Sequence, residues 1–536
     1  MGELSSGATV AELFVARLRD HGVRHVFGYP GGQLTPIYDA LYREPRIRHV
    51  LARDEQAAAF MADGYARATG RPGVCLAVCG PGVLNAATPL ATSFTDSIPV
   101  LLISGQVPTP GLGLRSGYYH ENDQLGAVST FTKHRVRISD GQHLAENLDQ
   151  AFSALMDGRP GPVFVEVPLD VLRMELLKPL HPITLSPLQP VTPPANDIAA
   201  LAALLGNWKR PMLLVGGGVL SAEAGPLLVR LAEKLGEPVF NTAMGKGTIP
   251  GDHPLSAGLP WRRATSDLSN MASYFSPLFT EADGLLAIGC RFTQLATGTW
   301  SMPLPPALAQ IDIDAAELGR HYPVALGVQC DARAALEAVL AILPETPRPP
   351  WARVPLTGKP WILPGVDVIG PLRRRLRRDA IVVADITRLG YVLMAEFPVY
   401  EPRTFLHPAG YVAMGYGIPA ALGAKAAFPE RPVVAVVGDG CFLMCGMELA
   451  TAVQEMLPII VILVNDSCLT LIKSTQERRY EKRFIGVDLR NPDFQLFAQS
   501  FGVRYWRADG DAAFDMALKE ALAAEETAVI ELRPAG

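Results

Sequence analysis

VVAVVGDGCFLMCGMELATAVQEMLPIIVILVND, residues 433–466, decides the fold. An unbroken apolar run, Val433 to Val437, leads into Gly438-Asp439-Gly440. A helical stretch follows, with Met447, Leu449, Ala450 and Val453 available for its inner face. A second apolar run, Ile459 to Val464, ends in Asn465-Asp466. Uninterrupted Val/Ile/Leu runs separated by helices are the pattern of a parallel sheet covered on both faces. Ligands of such open sheets bind at the carboxyl ends of the strands, and both acidic residues fall there. Glycines let the backbone approach a phosphate, which backbone N–H groups can then hydrogen-bond. Magnesium takes oxygen ligands, usually one or two carboxylates plus phosphates. Asp439 and Asp466 can supply those carboxylates, so the stretch predicts a phosphate- and magnesium-binding turn.

The same alternation runs through the chain. VRHVFGYP, GVCLAVCG, PVLLISG and GPVFVEVP read as buried strands in the first third, with a helix from Glu55 to Thr69. PMLLVGGG, GLLAIGCRF and LAQIDID are strand-like in the middle, and AIVVAD and TAVIELRP join the opening stretch in the last third. Two proline-rich segments, residues 181–197 and 343–365, cannot sustain a helix or a central strand and read as linkers. The prediction is an α/β protein of three doubly wound parallel-sheet domains, at residues 1–180, 190–345 and 360–536.

Composition narrows the function. Hydrophobic residues make up 49% and charged residues 19%, enough apolar content for large cores. The net charge is -5 with no long block of either sign, which argues against a nucleic-acid surface or a polybasic membrane anchor. No apolar run is long enough to span a bilayer, and the N-terminus lacks the form of a signal peptide. Seven widely spaced cysteines, with no His pair to complete a zinc site, read as free thiols of a cytoplasmic protein.

The Gly-Asp-Gly turn, followed some two dozen residues later by Asn465, resembles the thiamine-diphosphate motif. The resemblance extends to FGYPGGQLTPIYDAL, RDEQAAAFMADGYARATGRPGV, GPGVLN, DSIPVLLISGQVP, GRPGPVFVEVPLDV, GKGTIPGDHPLSAG and GYVAMGYGIPAALGA. Together these segments resemble the acetolactate synthase and pyruvate oxidase/decarboxylase superfamily. The resemblance implies a pyrimidine-binding, a central and a diphosphate-binding domain in a thiamine-diphosphate-binding fold. It also implies a homodimer or homotetramer with each active site shared between two subunits.

Residue by residue, the resemblance implies the following roles. Glu55 bonds the pyrimidine N1′ and stabilises the cofactor's imino tautomer. Met414 is the apolar prop that bends the cofactor, and backbone groups of Val412 and Met414 hold the aminopyrimidine. Gly438, Asp439, Gly440 and Cys441 form the diphosphate turn, and Gly390 and Tyr391 align with a loop that touches the diphosphate. Asp439, Asp466 and the carbonyl of Cys468 are the protein's magnesium ligands, Asp466 standing where the family usually has Asn. His120, where acetolactate synthases commonly have Gln, is placed to shuttle protons. Gln33 replaces a small residue of the family's Pro-Gly-Gly loop and narrows the pocket.

Three departures bear on the reaction. Thr475 stands where anabolic acetohydroxyacid synthases carry a specificity-setting Trp. Gly258-Leu259-Pro260-Trp261 replaces their flavin-binding Gly-Met-His-Gly, which argues against bound FAD. The chain also ends directly after its last strand, without a long C-terminal cap. The expected activity is decarboxylation of a 2-oxo acid followed by carboligation to an acceptor carbonyl. The alternatives are a non-ligating 2-oxo acid decarboxylase, an acyl-CoA decarboxylase or lyase suggested by YYHENDQ, a flavin oxidase, and a catalytically silent paralogue.

Overall fold

In a computed structural model, residues 7–113, 117–176, 189–261, 275–352 and 366–533 are described. Of the two proline-rich junctions, residues 181–188 and 353–365 lie outside the described residues; at the end of the first, against expectation, the helix Ala195–Asn207 already begins, directly after Pro194. Among those described, the strands form three six-stranded sheets, and every pairing is parallel. The α/β reading holds in each.

The first sheet contains β1 (His25–Gly28), β2 (Arg48–Leu51), β3 (Gly73–Ala77), β4 (Val100–Gln106), β5 (His134–Arg137) and β6 (Val163–Pro168), ordered β2-β1-β3-β4-β6-β5. The central sheet contains β7 (Pro211–Val215), β8 (Val239–Asn241), β9 (Ser256–Gly258), β10 (Gly284–Ile288), β11 (Leu308–Asp312) and β12 (Leu326–Gln329). Its order, β9-β8-β7-β10-β11-β12, is that of dinucleotide-binding sheets, with the switch point between β7 and β10. The third sheet contains β13 (Ile381–Ala384), β14 (Phe405–Leu406), β15 (Val433–Gly438), β16 (Ile460–Val464), β17 (Arg504–Ala508) and β18 (Ala528–Leu532), ordered β14-β13-β15-β16-β18-β17. Strand for strand, that is the topology of the first sheet. The two outer domains share one fold, a repeat that no sequence period reveals.

The predicted helix Glu55–Thr69 forms with those bounds. Asp54 caps its start by accepting the Ala57 N–H at 2.9 Å, and Gly70 ends it in the left-handed region. All but two residues of this helix are buried, because it packs against the Gly417–Ala427 helix of the C-terminal domain. Gly64 lies against the Ala420 backbone and Gly423 against the Met61 backbone, closer than any side chain would allow. Around this seam Phe60, Met61, Ile418 and Leu422 are fully buried in one cluster shared by the two outer domains. Each contributes about 1.5–3 kcal/mol by leaving water. The alanines and glycines of this helix are thus used up within one chain.

One expectation fails locally. The stretch after the Gly-Asp-Gly turn is not one helix but Asp439–Cys445, a 3-10 turn at Gly446–Glu448, and Leu449–Gln454. The tighter turn shifts the helical phase. Leu449 is buried as expected, whereas Met447 is 56% and Val453 46% exposed; Glu448, Thr451 and Ala452 take the inner face. Glu448 accepts the Arg53 N–H at 2.8 Å, so this inner face also meets the N-terminal domain.

Candidate functional site

The Gly-Asp-Gly turn sits where β15 gives way to a helix. Gly438 is its N-cap, in extended backbone, and Asp439 is its first residue, only 3% exposed. The Asp439 carboxylate accepts the Gly440 N–H at 2.8 Å and the Asn491 amide at 2.7 Å. The same Asn491 amide donates to Asn465 Oδ1 at 2.9 Å. Asn465 ends the adjacent strand β16 and is itself held by Glu531 at 2.6 Å. Asp466, exposed, accepts the Cys468 N–H at 3.2 Å and the Thr470 hydroxyl. Ser467 turns the loop with a positive φ of 53°.

The electrostatics of this turn suit a cation. Burial raises the Asp439 carboxyl above its ordinary range, and the negative charge of Asp466 adds to that. Asn491 Oδ1 is buried without a partner. Two mutually repelling carboxylates and an orphaned amide oxygen form a hard-oxygen donor set of the kind magnesium takes when phosphates supply the rest. Among the described residues no three His, Cys, Asp or Glu side chains converge on one point, so no all-protein cage is present there. Asn491 was not singled out from the sequence, because NPDF carries no motif and reaches the turn only through the fold.

Met414 adjoins this turn: its Cε lies 3.2 Å from where a side chain on Gly440 would begin. Met414 is half-buried there, and Val412, two residues earlier, is 42% exposed. Gly415, with φ of 86°, brings the chain beside Met444 and Gln56, the residue after Glu55. Cys441 is buried, and its thiol donates to the Ile386 carbonyl at 3.4 Å. Gly390 and Tyr391, expected on a loop, lie in the first turn of the Arg388–Glu396 helix. The Gly390 N–H donates to Thr387 Oγ1 at 2.8 Å, and the Tyr391 ring packs edge-on against His407 in the core. Thr387 is a strong N-cap, and the apolar run behind it extends the helix.

In the N-terminal domain the fold brings Glu55, His120 and Gln33 to the carboxyl ends of neighbouring strands. Glu55 opens its helix, 8% exposed, and accepts the Asn85 amide at 3.1 Å. Its other oxygen lies 2.9 Å from where a side chain on Gly82 would begin. The His120 carbonyl is equally close to Gly80, and the Gln33 Cβ lies 2.7 Å from the corresponding point on Gly105, in β4. His120 holds a positive φ of 69°, stacks on Tyr119 at 3.7 Å and leaves its Nδ1 buried and unpaired. Beneath them lies a buried network that sequence reading missed. Gln124 accepts the Gly80 N–H at 2.9 Å and donates to Glu166 at 2.7 Å, while Arg137 pairs with Glu166. Burial raises the Glu166 carboxyl. No local pattern marks these residues: Gln124 opens a short helix, Glu166 is a single acid inside the apolar strand β6, and Arg137 ends β5.

A separate cavity opens where all three domains meet, at the switch point of the central sheet. Gly216, Arg291 and Asp312 line it from the central domain, Arg159 from the N-terminal domain and Arg403 from the C-terminal domain. Trp261 forms part of its wall, buried, with its indole N–H donating to the Leu295 carbonyl at 2.9 Å.

Comparison with known proteins matches three parts of the chain to family models. Residues 8–127 match the N-terminal TPP binding domain of thiamine pyrophosphate enzymes, 198–339 their central domain and 385–532 their C-terminal TPP binding domain. A probable acetolactate synthase large subunit of Methanocaldococcus jannaschii is 35% identical over 97% of this chain and 91% of its own length. The acetolactate synthase large subunit of Corynebacterium glutamicum is 37% identical over 92% of this chain and 81% of its own. A probable 2-ketoarginine decarboxylase of Pseudomonas aeruginosa is 35% identical over 98% of this chain and 94% of its own.

Proposed function

Because the chain belongs to the thiamine-pyrophosphate-dependent enzymes, with acetolactate synthase large subunits among its relatives, we propose that it uses thiamine diphosphate and magnesium to decarboxylate a 2-oxo acid and joins the product to an acceptor carbonyl. The observation that carries this reading is the donor set of Asp439, Asp466 and Asn491 beside Met414, at the strand ends of a matched C-terminal domain. Bound thiamine diphosphate supplies the electron sink for decarboxylation. The protein's share is to bind, orient and exclude water.

Asp439 and Asp466 would give carboxylate oxygens to magnesium, with the Cys468 carbonyl as a third ligand. Gly438, Gly440 and Cys441 would present backbone to the diphosphate, bordered by Gly390 and Tyr391. Backbone groups of Val412 and Met414 would hold the aminopyrimidine, and the Met414 side chain would prop it. Glu55 would hold a proton at the pyrimidine N1′, its carboxyl steered by Asn85. His120 would move protons near the substrate, its Nδ1 unpaired for the purpose, and Gln33 would narrow the entrance. Trp261, already bonded in the cavity wall within the Gly258–Trp261 stretch that departs from a flavin-binding Gly-Met-His-Gly, favours an enzyme without FAD.

A second reading, decarboxylation without ligation, is favoured by the 35% identity of this chain to the probable 2-ketoarginine decarboxylase across nearly all of both. A panel of 2-oxo acids fed to the holoenzyme separates the two. Mass spectrometry is expected to find an acetohydroxy acid from a colourless protein. Aldehyde as the sole product would replace the first reading with the second, and no carbon dioxide from any acid would overturn both.

The enzyme is further proposed to be cytoplasmic and to share each site between two subunits. Among the described residues no helix is long and apolar enough to cross a membrane. Leu443, Met444 and Met447 form an exposed apolar row after the Gly-Asp-Gly turn, and Leu84 is exposed beside Asn85. A second subunit would cover such surfaces. Mixing Glu55→Gln with Asp439→Ala chains should therefore restore activity, because one site of the mixed dimer keeps both native residues. A purified heterodimer no more active than either parent would refute the sharing.

A further inference from the structure

We propose that Asp96 is a positioning residue for cofactor binding: from the N-terminal domain it fixes the C-terminal-domain loop that carries Val412 and Met414. The inference rests on the reading of that loop given above.

The segment His407 to Tyr416 leaves β14 and enters the Gly417–Ala427 helix without regular structure of its own. Its backbone polar groups need partners from elsewhere. The N-terminal domain provides them. Asp96 accepts the Ala409 N–H at 2.9 Å and the Gly410 N–H at 2.7 Å, one on each carboxylate oxygen. Thr92 donates its hydroxyl to the Tyr411 carbonyl at 2.8 Å, and Arg67 reaches the His407 carbonyl at 3.4 Å. A side chain on Gly410 would begin 2.8 Å from Thr95 Cβ, so the loop is pressed onto the helix that bears Asp96.

Two charge-assisted bonds from one carboxylate set direction as well as distance. They act two residues before Val412 and four before Met414. Helix stability does not explain the carboxylate: Asp96 is the last residue of Ala87–Asp96, where the helix dipole disfavours negative charge. Nor does charge balance require it. Arg67 donates to Asp96 at 2.9 Å in a buried ion pair, but it is also paired with Asp63 at 2.5 Å, and Ser93 donates to Asp63 at 2.8 Å. Removing the Asp96 charge would leave the buried Arg67–Asp63 pair neutral. What Asp96 alone does is take two adjacent loop N–H groups.

Asp96→Asn keeps the volume and one acceptor oxygen but turns an amide N–H toward a donor. In the full-length protein reconstituted with magnesium, its dissociation constant for thiamine diphosphate is expected to rise about tenfold or more. Turnover at saturating cofactor should fall far less; the melting temperature of the cofactor-free protein should fall, because the buried Arg67–Asp96 ion pair is lost, whereas Thr92→Val keeps that pair and isolates the loop contact. The near-ultraviolet circular dichroism of the bound aminopyrimidine should change with the loop. Thr92→Val, which loses only the hydroxyl bond to the Tyr411 carbonyl, should shift affinity in the same direction by less, and it carries the test if Asp96→Asn fails to fold. Met414→Ala is the control for the loop's role. If it weakens cofactor binding while Asp96→Asn and Thr92→Val leave affinity and dichroism unchanged, the positioning role is wrong. If Met414→Ala also binds and turns over normally, the reading of the loop has failed and this proposal with it.

Discussion

Glu55→Gln is expected to lower turnover of the holoenzyme by roughly 10²–10⁴-fold, the usual range for a lost proton-transfer group, with fold and cofactor binding retained. Glu55 is the first residue of its helix and 8% exposed, and its one side-chain hydrogen bond is accepted from Asn85. A glutamine oxygen can accept that bond in the same place. The negative charge at the helix start is worth about 0.3–1 kcal/mol, too little to unfold the domain. What the amide cannot do is hold or release a proton at N1′. Steady-state rates, a cofactor titration and a thermal melt on the purified variant separate these effects. Turnover close to wild type would remove Glu55 from the chemistry.

Asp439→Ala is expected to abolish magnesium-dependent retention of thiamine diphosphate. The carboxylate would lose its place on the cation, and Asn491 would lose the partner that fixes its amide. The protein should stay folded, because burial already disfavours the Asp439 charge. Cofactor content after gel filtration, with and without magnesium, reads the effect directly. Retention equal to wild type would place the metal elsewhere.

The sequence made the inner strands legible and the outer ones not. β3, β4, β15 and β16 are buried on both faces and read as unbroken apolar runs. In the outer sheets the unforeseen strands, β2, β5, β14 and β17, are all edges; in the central sheet the edges β9 and β12 were also unforeseen, and so was inner β8, only three residues long. β5, His-Arg-Val-Arg, is half-exposed and carries the charges an edge tolerates. The site divided similarly. Asp439, Asp466 and Glu55 stand in recognisable segments. Asn491 and Gln124 act from places with no motif; Asn85 and Asp96 stand in recognisable segments, but their partners are set by the helix ends the fold carries them on. Helical phase beyond Asp439 was misjudged because one 3-10 turn rotates everything after it.

The seam between the Glu55–Thr69 and Gly417–Ala427 helices also constrains synthesis. Its partners are far apart in the chain; Arg67 and His407, for example, are 340 residues apart. On the ribosome the first domain emerges with a small-residue, apolar helix face whose covering does not yet exist. At about 5–20 residues per second, that face waits on the order of tens of seconds for the C-terminal third. During that interval the exposed face is open to premature pairing with a neighbouring nascent chain. Such a neighbour, if further along in synthesis, carries the same Gly417–Ala427 helix and presents a surface of the right shape. Correct assembly is therefore a kinetic matter, decided by whether a chain's own C-terminal domain arrives before another's.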